Sequence, residues 1–306
     1  MIDYISWGLS KIGSLPTWII VVVGCVLFLP FLPMPRERYI RGSRIVSGFR
    51  LRVRLALERF RDNAFERAPT TTPLKIGKIP VPHNVEPLHF LVGGSTGVGK
   101  SQLIRSFLRV IRARDERAII ADVGGDLMAS HMFRGDLLLN PHDSRSRIWS
   151  PFCEMRSILD ADRIAASMLP AAEGESGEWH RYSQSLIAAV LQRLYECGDA
   201  TNERLLYYLT IAKTEEIEAL VAGHPAQTLF DAGAAKMLSS VRGIIGSYLP
   251  AYRFLPANAG RDDFSISEWV VEASGGWLWL PYQDRDAVAL RPLLAAWIGE
   301  AVSAVL

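Results

Sequence analysis

Cysteine is scarce in this chain of 306 residues. Three occur, Cys25, Cys153 and Cys197, with no CxxC spacing and no histidines clustered beside them. That excludes a disulfide framework and a zinc site of ordinary ligand spacing, and it suits a reducing compartment. Overall charge is scarce as well: 34 Lys and Arg against 32 Asp and Glu leave +2, while 49% of the residues are apolar. A disordered chain, a collagen-like repeat and a small disulfide scaffold are excluded by that balance. At roughly 150 residues per domain the length allows about two domains, each large enough for its own core. No internal repeat or low-complexity segment is present.

The near-zero total conceals a block. Residues 36–67 hold ten arginines against Glu37, Glu58, Asp62 and Glu66, a local charge of +6, so the remainder of the chain is net acidic. Just upstream, residues 12–35 carry no charge at all, and residues 18–32 read WIIVVVGCVLFLPFL. A bilayer core needs roughly 20 mostly apolar residues, which this window supplies although Pro16, Pro30 and Pro33 weaken its ends. The expectation is one membrane span whose arginine-rich flank stays on the cytoplasmic side, with the short N-terminus outside. A cleaved signal peptide fits less well, because the first residues are not clearly positive and no small-x-small cleavage site follows the apolar run. The basic block is then read as a juxtamembrane segment against anionic head groups, with DNA contact secondary.

Beyond a Thr- and Pro-rich connection (Thr70, Thr71, Thr72, Pro73, Pro80, Pro82, Pro87), periodicity predicts alternating strands and helices. Residues 88–93 (LHFLVG) read as a buried strand, followed by a glycine loop and a helix with Leu103, Ile104, Phe107, Leu108 and Ile111 on one face. Arg105, Arg109 and Arg112 fall on the opposite face, taken as solvated or subunit-facing. Further strands are expected at 118–122 and 136–139, which argues for a parallel sheet covered by helices. Helix signals then fill 158–169, 182–197, 203–212, 215–222 and 234–249. Ser265 as N-cap, Glu268 three residues on and Phe264 beside Trp269 make a capping box with a hydrophobic staple. A strand returns at 277–280 (WLWL), expected to stop at Pro281. A last helix is expected to begin near Arg291 and Pro292, proline being tolerated in a first turn.

Gly94, Gly99, Lys100 and Ser101 complete the phosphate-binding pattern Gx4GK[ST]. Glycines let successive backbone N–H groups turn inward around phosphates, and the N-terminus of the following helix adds about half a positive charge. Lys100 is expected to reach the β- and γ-phosphates, and the Ser101 hydroxyl to ligate Mg²⁺. Hydrolysis also needs an acid at a strand end. Asp122, after AIIA, matches crudely but comes only about 20 residues past the loop; a structural turn is the favoured reading, with metal or water contact left open. WLWL runs into Pro281, Tyr282, Gln283 and Asp284, with no acid at the strand tip. The six histidines, including His142 and His180, are scattered and read as surface or satisfied core. Trp149, Trp179 and Trp269 are expected to pack inside the helical region.

Together, HFLVGGSTGVGKS, IIADVGGDLM, LLLNPHDSRSRIWSPF, the helix carrying Glu178 and Trp179, FSISEW, GGWLWL and ALRPLLAAW resemble the TraD/TrwB-type conjugative coupling proteins of type IV secretion, hexameric DNA-pumping ATPases, from about residue 73 to residue 306. The resemblance implies an α/β fold: a RecA-like P-loop nucleotide-binding domain with a mostly parallel sheet, an inserted all-α domain and an N-terminal transmembrane helix. The division read from the pattern agrees with that plan: an anchor (1–35), a basic juxtamembrane segment (36–72), a first nucleotide-binding part (73–148), an inserted helical domain (149–273), and a continued but incomplete nucleotide-binding part (274–306). It assigns Gly94, Ser95, Thr96, Gly97, Val98, Gly99, Lys100, Ser101 and Gln102 to ATP, with Lys100 and Ser101 catalytic and Ser101 holding Mg²⁺.

The partners it implies are DNA, single-stranded in transfer with duplex as an alternative, together with a relaxase in its relaxosome, type IV secretion channel components, the bacterial inner membrane and further copies in a hexamer. The nucleotide-binding part would be cytoplasmic. Departures are visible: one span where the family has two, Val123 where it has proline, and no acidic Asp-Glu strand, arginine finger or glutamine, all of which the family carries beyond the point matching residue 306. The resemblance therefore leads one to expect an N-terminal portion of a longer protein or a truncated frame, unable to hydrolyse ATP by itself. A truncated ATP- and DNA-binding protein without hydrolysis and a chromosome-type double-stranded DNA translocase stay open as alternatives.

Overall fold

A computed structural model describes residues 47–62 and 72–305, apart from residues 175, 232, 273 and 274. The expected membrane span and residues 36–46 and 63–71 of the basic segment lie outside the described residues. The chain divides into two units, 1–58 and 59–306, and helix α1 (Gly48–Asp62) carries it across that boundary.

The second unit begins with a hairpin, β1 (Lys75–Ile76) and β2 (Ile79–Pro80), turned at Gly77, whose φ of 62° lies in the left-handed region. Helix α2 (Lys100–Ala113), strand β3 (Ala118–Val123), the short helix α3 (Asp126–His131) and strand β4 (Leu137–Leu138) follow. A run of helices comes next: α4 (Asp160–Met168), α5 (Ser176–Glu196), α6 (Asn202–Leu206) continuing into a π-helical turn at Tyr207–Ile211, α7 (Thr214–Leu220), α8 (Ala235–Tyr248) and α9 (Ile266–Glu272). Strand β5 (Trp277–Tyr282) and helix α10 (Ala287–Val305) close the chain.

The three-stranded sheet is parallel, in the order β3–β5–β4. Parallel strands need crossovers, and here the β4-to-β5 crossover contains the whole run from α4 to α9. The central strand explains the sheet's burial. Trp277 and Trp279 point to a small core with Leu108, Ile120 and Leu138 under α2, whereas Leu278 and Leu280 point into the large helical core. Both faces are therefore covered, which is why β5 reads as an unbroken apolar run. In the large core Trp149, Trp297 and Tyr252 pack together, with the two indoles edge to face at 5.9 Å.

Four sequence expectations need correction. Residues 88–93 form no strand: Leu91 is 99% exposed and Leu88 61%, and among the described residues no strand lies alongside to accept their backbone bonds. Strand β5 does not stop at Pro281 but continues to Tyr282. Leu139 N–H donates to the Trp279 carbonyl and Gly124 N–H to that of Tyr282, so the odd residues of β5 face β4. The N–H that Pro281 lacks thus falls on the side where the short β4 has already ended. Helix α10 begins at Ala287, a turn earlier than expected, and takes Pro292 inside it; the unpaired carbonyl belongs to Val288, an 86% exposed residue with water available. Trp179 stays 38% exposed, because it sits in the first turns of α5 and stacks edgewise on Tyr182 rather than on the core.

Helix α10 is also long and apolar enough to cross a membrane by length and composition. Its Leu290, Leu293, Ala296 and Trp297 are buried in the large core, which accounts for that composition without a bilayer.

Candidate phosphate-binding site

The loop that opens α2 takes its shape from glycine. Gly97 and Gly99 have φ of 84° and 96°, backbone positions that side chains rarely tolerate, and Gly99 in the left-handed region is the residue from which α2 starts. A Cβ on Gly94 would lie 2.8 Å from a Val98 methyl, so the loop also closes on itself too tightly for a side chain there. Leu103 N–H makes the first backbone bond of the helix, to the Gly99 carbonyl at 3.0 Å. The amides before it are the unpaired donors of a helix N-terminus, and Ser101 and Gln102 are exposed. Lys100 curls back: its Nζ donates to the carbonyls of Gly94 at 2.8 Å and Ser95 at 2.7 Å. A cation thus sits at the mouth of a ring of backbone with donors beneath it, an arrangement suited to a phosphate chain. Gly94, Ser95, Thr96, Gly97, Val98 and Gly99 form the loop, and Lys100, Ser101 and Gln102 the first turn of α2.

What orients this loop lies at the other end of α2. Arg112, in its last turn, is packed and only partly solvated: its guanidinium lies 3.5 Å from the ring centre of Trp277 and 5.1 Å from that of Phe133. It holds Asp136 through two bonds of 2.9 and 2.7 Å, while Asp136 also accepts from the backbone N–H groups of Phe133 and Trp277 and from Trp279 Nε1. Burial alone would raise the Asp136 carboxyl, but Arg112 and these N–H donors hold it below the usual carboxylate range. Two residues on, Arg114 bonds Glu86 through both oxygens and the Thr72 carbonyl, and Glu86 accepts from Leu74 N–H. The Arg114 hydrogen bonds keep Glu86 below its ordinary pKa despite its partial burial. Because Trp277 begins β5, the C-terminal end of α2 lies at the start of the strands. Fourteen residues at 1.5 Å each carry its N-terminus about 21 Å toward the strands' C-terminal ends, the edge where open α/β sheets bind ligands.

Asp122 is elsewhere engaged. It is 3% exposed, and its Oδ2 accepts from Met128 N–H at 2.8 Å, satisfying an amide in the first turn of α3. Consecutive left-handed glycines, Gly124 and Gly125, make that turn. Asn140 and Asp143 likewise serve a turn, accepting from the N–H groups of His142 and Arg145. His142 packs edgewise on Phe254, and His180 is bonded to the Pro170 carbonyl at 2.9 Å. Among the described residues no group of three His, Cys, Asp or Glu side chains could hold a metal ion.

Sequence reasoning missed two buried carboxylates. Glu154 accepts from Trp149 Nε1 at 2.8 Å, Ile266 N–H at 2.7 Å and Ser267 N–H at 3.0 Å, so it caps α9. Ser265 accepts from Glu268 N–H as the capping box requires, but the box's carboxylate is supplied from over a hundred residues away. Glu300 joins α10 to α4 through Arg163 and through the Ser167 hydroxyl, 2.7 Å from it. Burial raises its pKa against the pull of those partners. The only local signal for either is an acid set among apolar residues.

Comparison with known proteins bears on all of this. A family described as the type IV secretion-system coupling protein DNA-binding domain matches residues 73–306. The coupling protein TraD of Escherichia coli K12 is 24% identical over 239 residues, which cover 76% of this chain and 33% of that protein. The unbound bacterial conjugative coupling protein TrwBdeltaN70 superposes with a TM-score of 0.75 at 30% identity, over 90% of this chain and 61% of the other. The TrwB structure in complex with ADP and Mg²⁺ gives 0.73 and 31%, over 90% and 63%. The chain thus spans about a third of the curated relative's length and about three fifths of the solved chains, and the likeness gives it an α/β, RecA-like fold.

Proposed function

This chain belongs to the type IV secretion-system coupling proteins, and on that premise we propose that it is the membrane-anchored, nucleotide-binding part of an ATPase that moves DNA into a type IV secretion channel. The observation that carries the reading is the loop at the head of α2, where left-handed glycines, the N-terminus of the helix and the folded-back Lys100 meet. Bound ATP with Mg²⁺ would supply the free energy of transport. Lys100 would leave the carbonyls of Gly94 and Ser95 to neutralise the β- and γ-phosphates, the amides from Ser95 to Gln102 would line the phosphate chain, and the Ser101 hydroxyl would hold the metal. Related TrwB has been seen with ADP and Mg²⁺, which supports nucleotide and magnesium as the ligands.

Residues 1–35 then serve as the inner-membrane anchor and 36–72 as a basic stem, while residues 149–273 meet DNA delivered single-stranded with its relaxase. A ring of six copies would enclose the DNA path. Lys100→Ala should abolish ATP binding by titration calorimetry; undiminished affinity would sink the assignment. One observation favours a second reading, binding without turnover. Among the described strands none ends in a free acid: Asp122 is committed to Met128, and β5 ends in Pro281 and Tyr282. Phosphate release by the 306-residue chain, with and without single-stranded DNA, separates the two. DNA-stimulated release supports the translocase acting alone, and its absence with intact ATP binding supports the second reading.

A further inference from the structure

Helix α1 offers an apolar face that its charges do not explain. Phe49, Val53 and Leu57, spaced four apart, are 77%, 44% and 67% exposed along one side, with exposed Ala56 beside Phe49. At 100° per residue, Arg52 lies about 60° to one side of Phe49, and Arg50 lies about 20° beyond Leu57 on the other. Both arginines are exposed and so border the stripe on its two edges. Leu51 and Leu55, on the opposite side, are half-buried, so the large exposed apolar side chains gather on one face. No acid occurs from Ser47 to Leu57. Upstream, residues 36–46 add four arginines against Glu37, and the charge-free window of residues 12–35 ends only twelve residues before Gly48. Twelve residues reach about 40 Å at most, which keeps α1 close to the point where that window ends.

We propose that α1 is an interfacial helix for anionic lipid, with Phe49, Val53 and Leu57 inserted among the acyl chains and Arg50 and Arg52 on lipid phosphates. An apolar stripe between two arginine edges is the pattern of a helix lying in a bilayer surface. Nucleic acid would use the arginines but leave the stripe in water, and a surface patch of large apolar side chains needs a partner. The inference rests on the anchor reading of residues 1–35 and is independent of the nucleotide assignment.

Limited trypsinolysis of the full chain tests it, since trypsin cuts after Arg50 and Arg52. The chain is placed in vesicles of phosphatidylcholine alone, in vesicles of equal parts phosphatidylcholine and phosphatidylglycerol, and in detergent. Cleavage after Arg285, 83% exposed in its side chain, normalises for orientation. Anionic vesicles should slow cleavage after Arg50 and Arg52 at least about tenfold relative to neutral ones. The protection should vanish in Phe49→Ser/Leu57→Ser and persist in Lys100→Ala. Equal rates in the two vesicle types overturn the proposal. Protection as strong in nonionic detergent, which offers no phosphate, as in anionic vesicles overturns the role of lipid phosphate, and protection kept by the double serine variant overturns insertion of the stripe.

Discussion

Two apolar runs of strand length met different fates. WLWL in β5 is buried on both faces, whereas LHFLVG just before the phosphate loop leaves Leu91 almost wholly in water. Their composition does not separate them. Strand β5 has β3 on one side and β4 on the other, with α2 and the helical core over its two faces; residues 88–93 have no strand beside them among the described residues, and Phe90 meets α2 edgewise, its ring centre 6.2 Å from that of Phe107. An apolar run becomes a strand when neighbours accept its backbone bonds and layers cover its side chains. Near the loop, order is therefore transmitted mainly from the far end of α2, through Arg112 and Arg114, rather than along a strand.

The contrast can be broken by mutation. Trp279→Ala should cost the most, about 3–5 kcal/mol, since it empties the small core; denaturant unfolding of the full chain measures it. Next comes Asp136→Asn, expected to cost about 2–3 kcal/mol by leaving the N–H donors around it short of a charged acceptor. Acid sharpens that point. The folded Asp136 carboxyl lies below its ordinary value, so its stabilisation is present above the unfolded pKa and is lost as pH falls through the folded one. The wild-type chain should lose stability in that acid window, and Asp136→Asn should lose less; equal slopes would show the clamp to be dispensable. Smallest of all, Leu91→Ser should change stability by no more than about 0.5 kcal/mol. A loss matching that of Trp279→Ala would mean that residues 88–93 are packed after all, and the comparison would fail.

How much was legible follows the same line. Helix α2 and strand β3 could be read from period and turn residues, because each signal sits within one element. The phosphate-loop spacing was plain, and the left-handed glycines explain why those positions must be glycine. Asp136 gave no sign of its role, since Trp277 and Trp279 lie more than a hundred residues further on. Glu154 was equally silent: the cap at Ser265 is local, but the carboxylate that completes it comes from before α4. Arg112 looked solvated because its helix face is polar in sequence, while its partners arrive from β5 and from the turn before β4.

The sequence by itself determined what depends on neighbours a few residues away: the glycine loop with its lysine, the helix periods, the Ser265 cap and the charge block with its apolar forerunner. Tertiary structure alone decided which apolar run joined the sheet, which carboxylate took which amide, and whether Asp122 was free. Backbone pairing and buried ion pairs gain their energy only when groups distant in sequence meet in a space closed to water, and no local pattern carries that information.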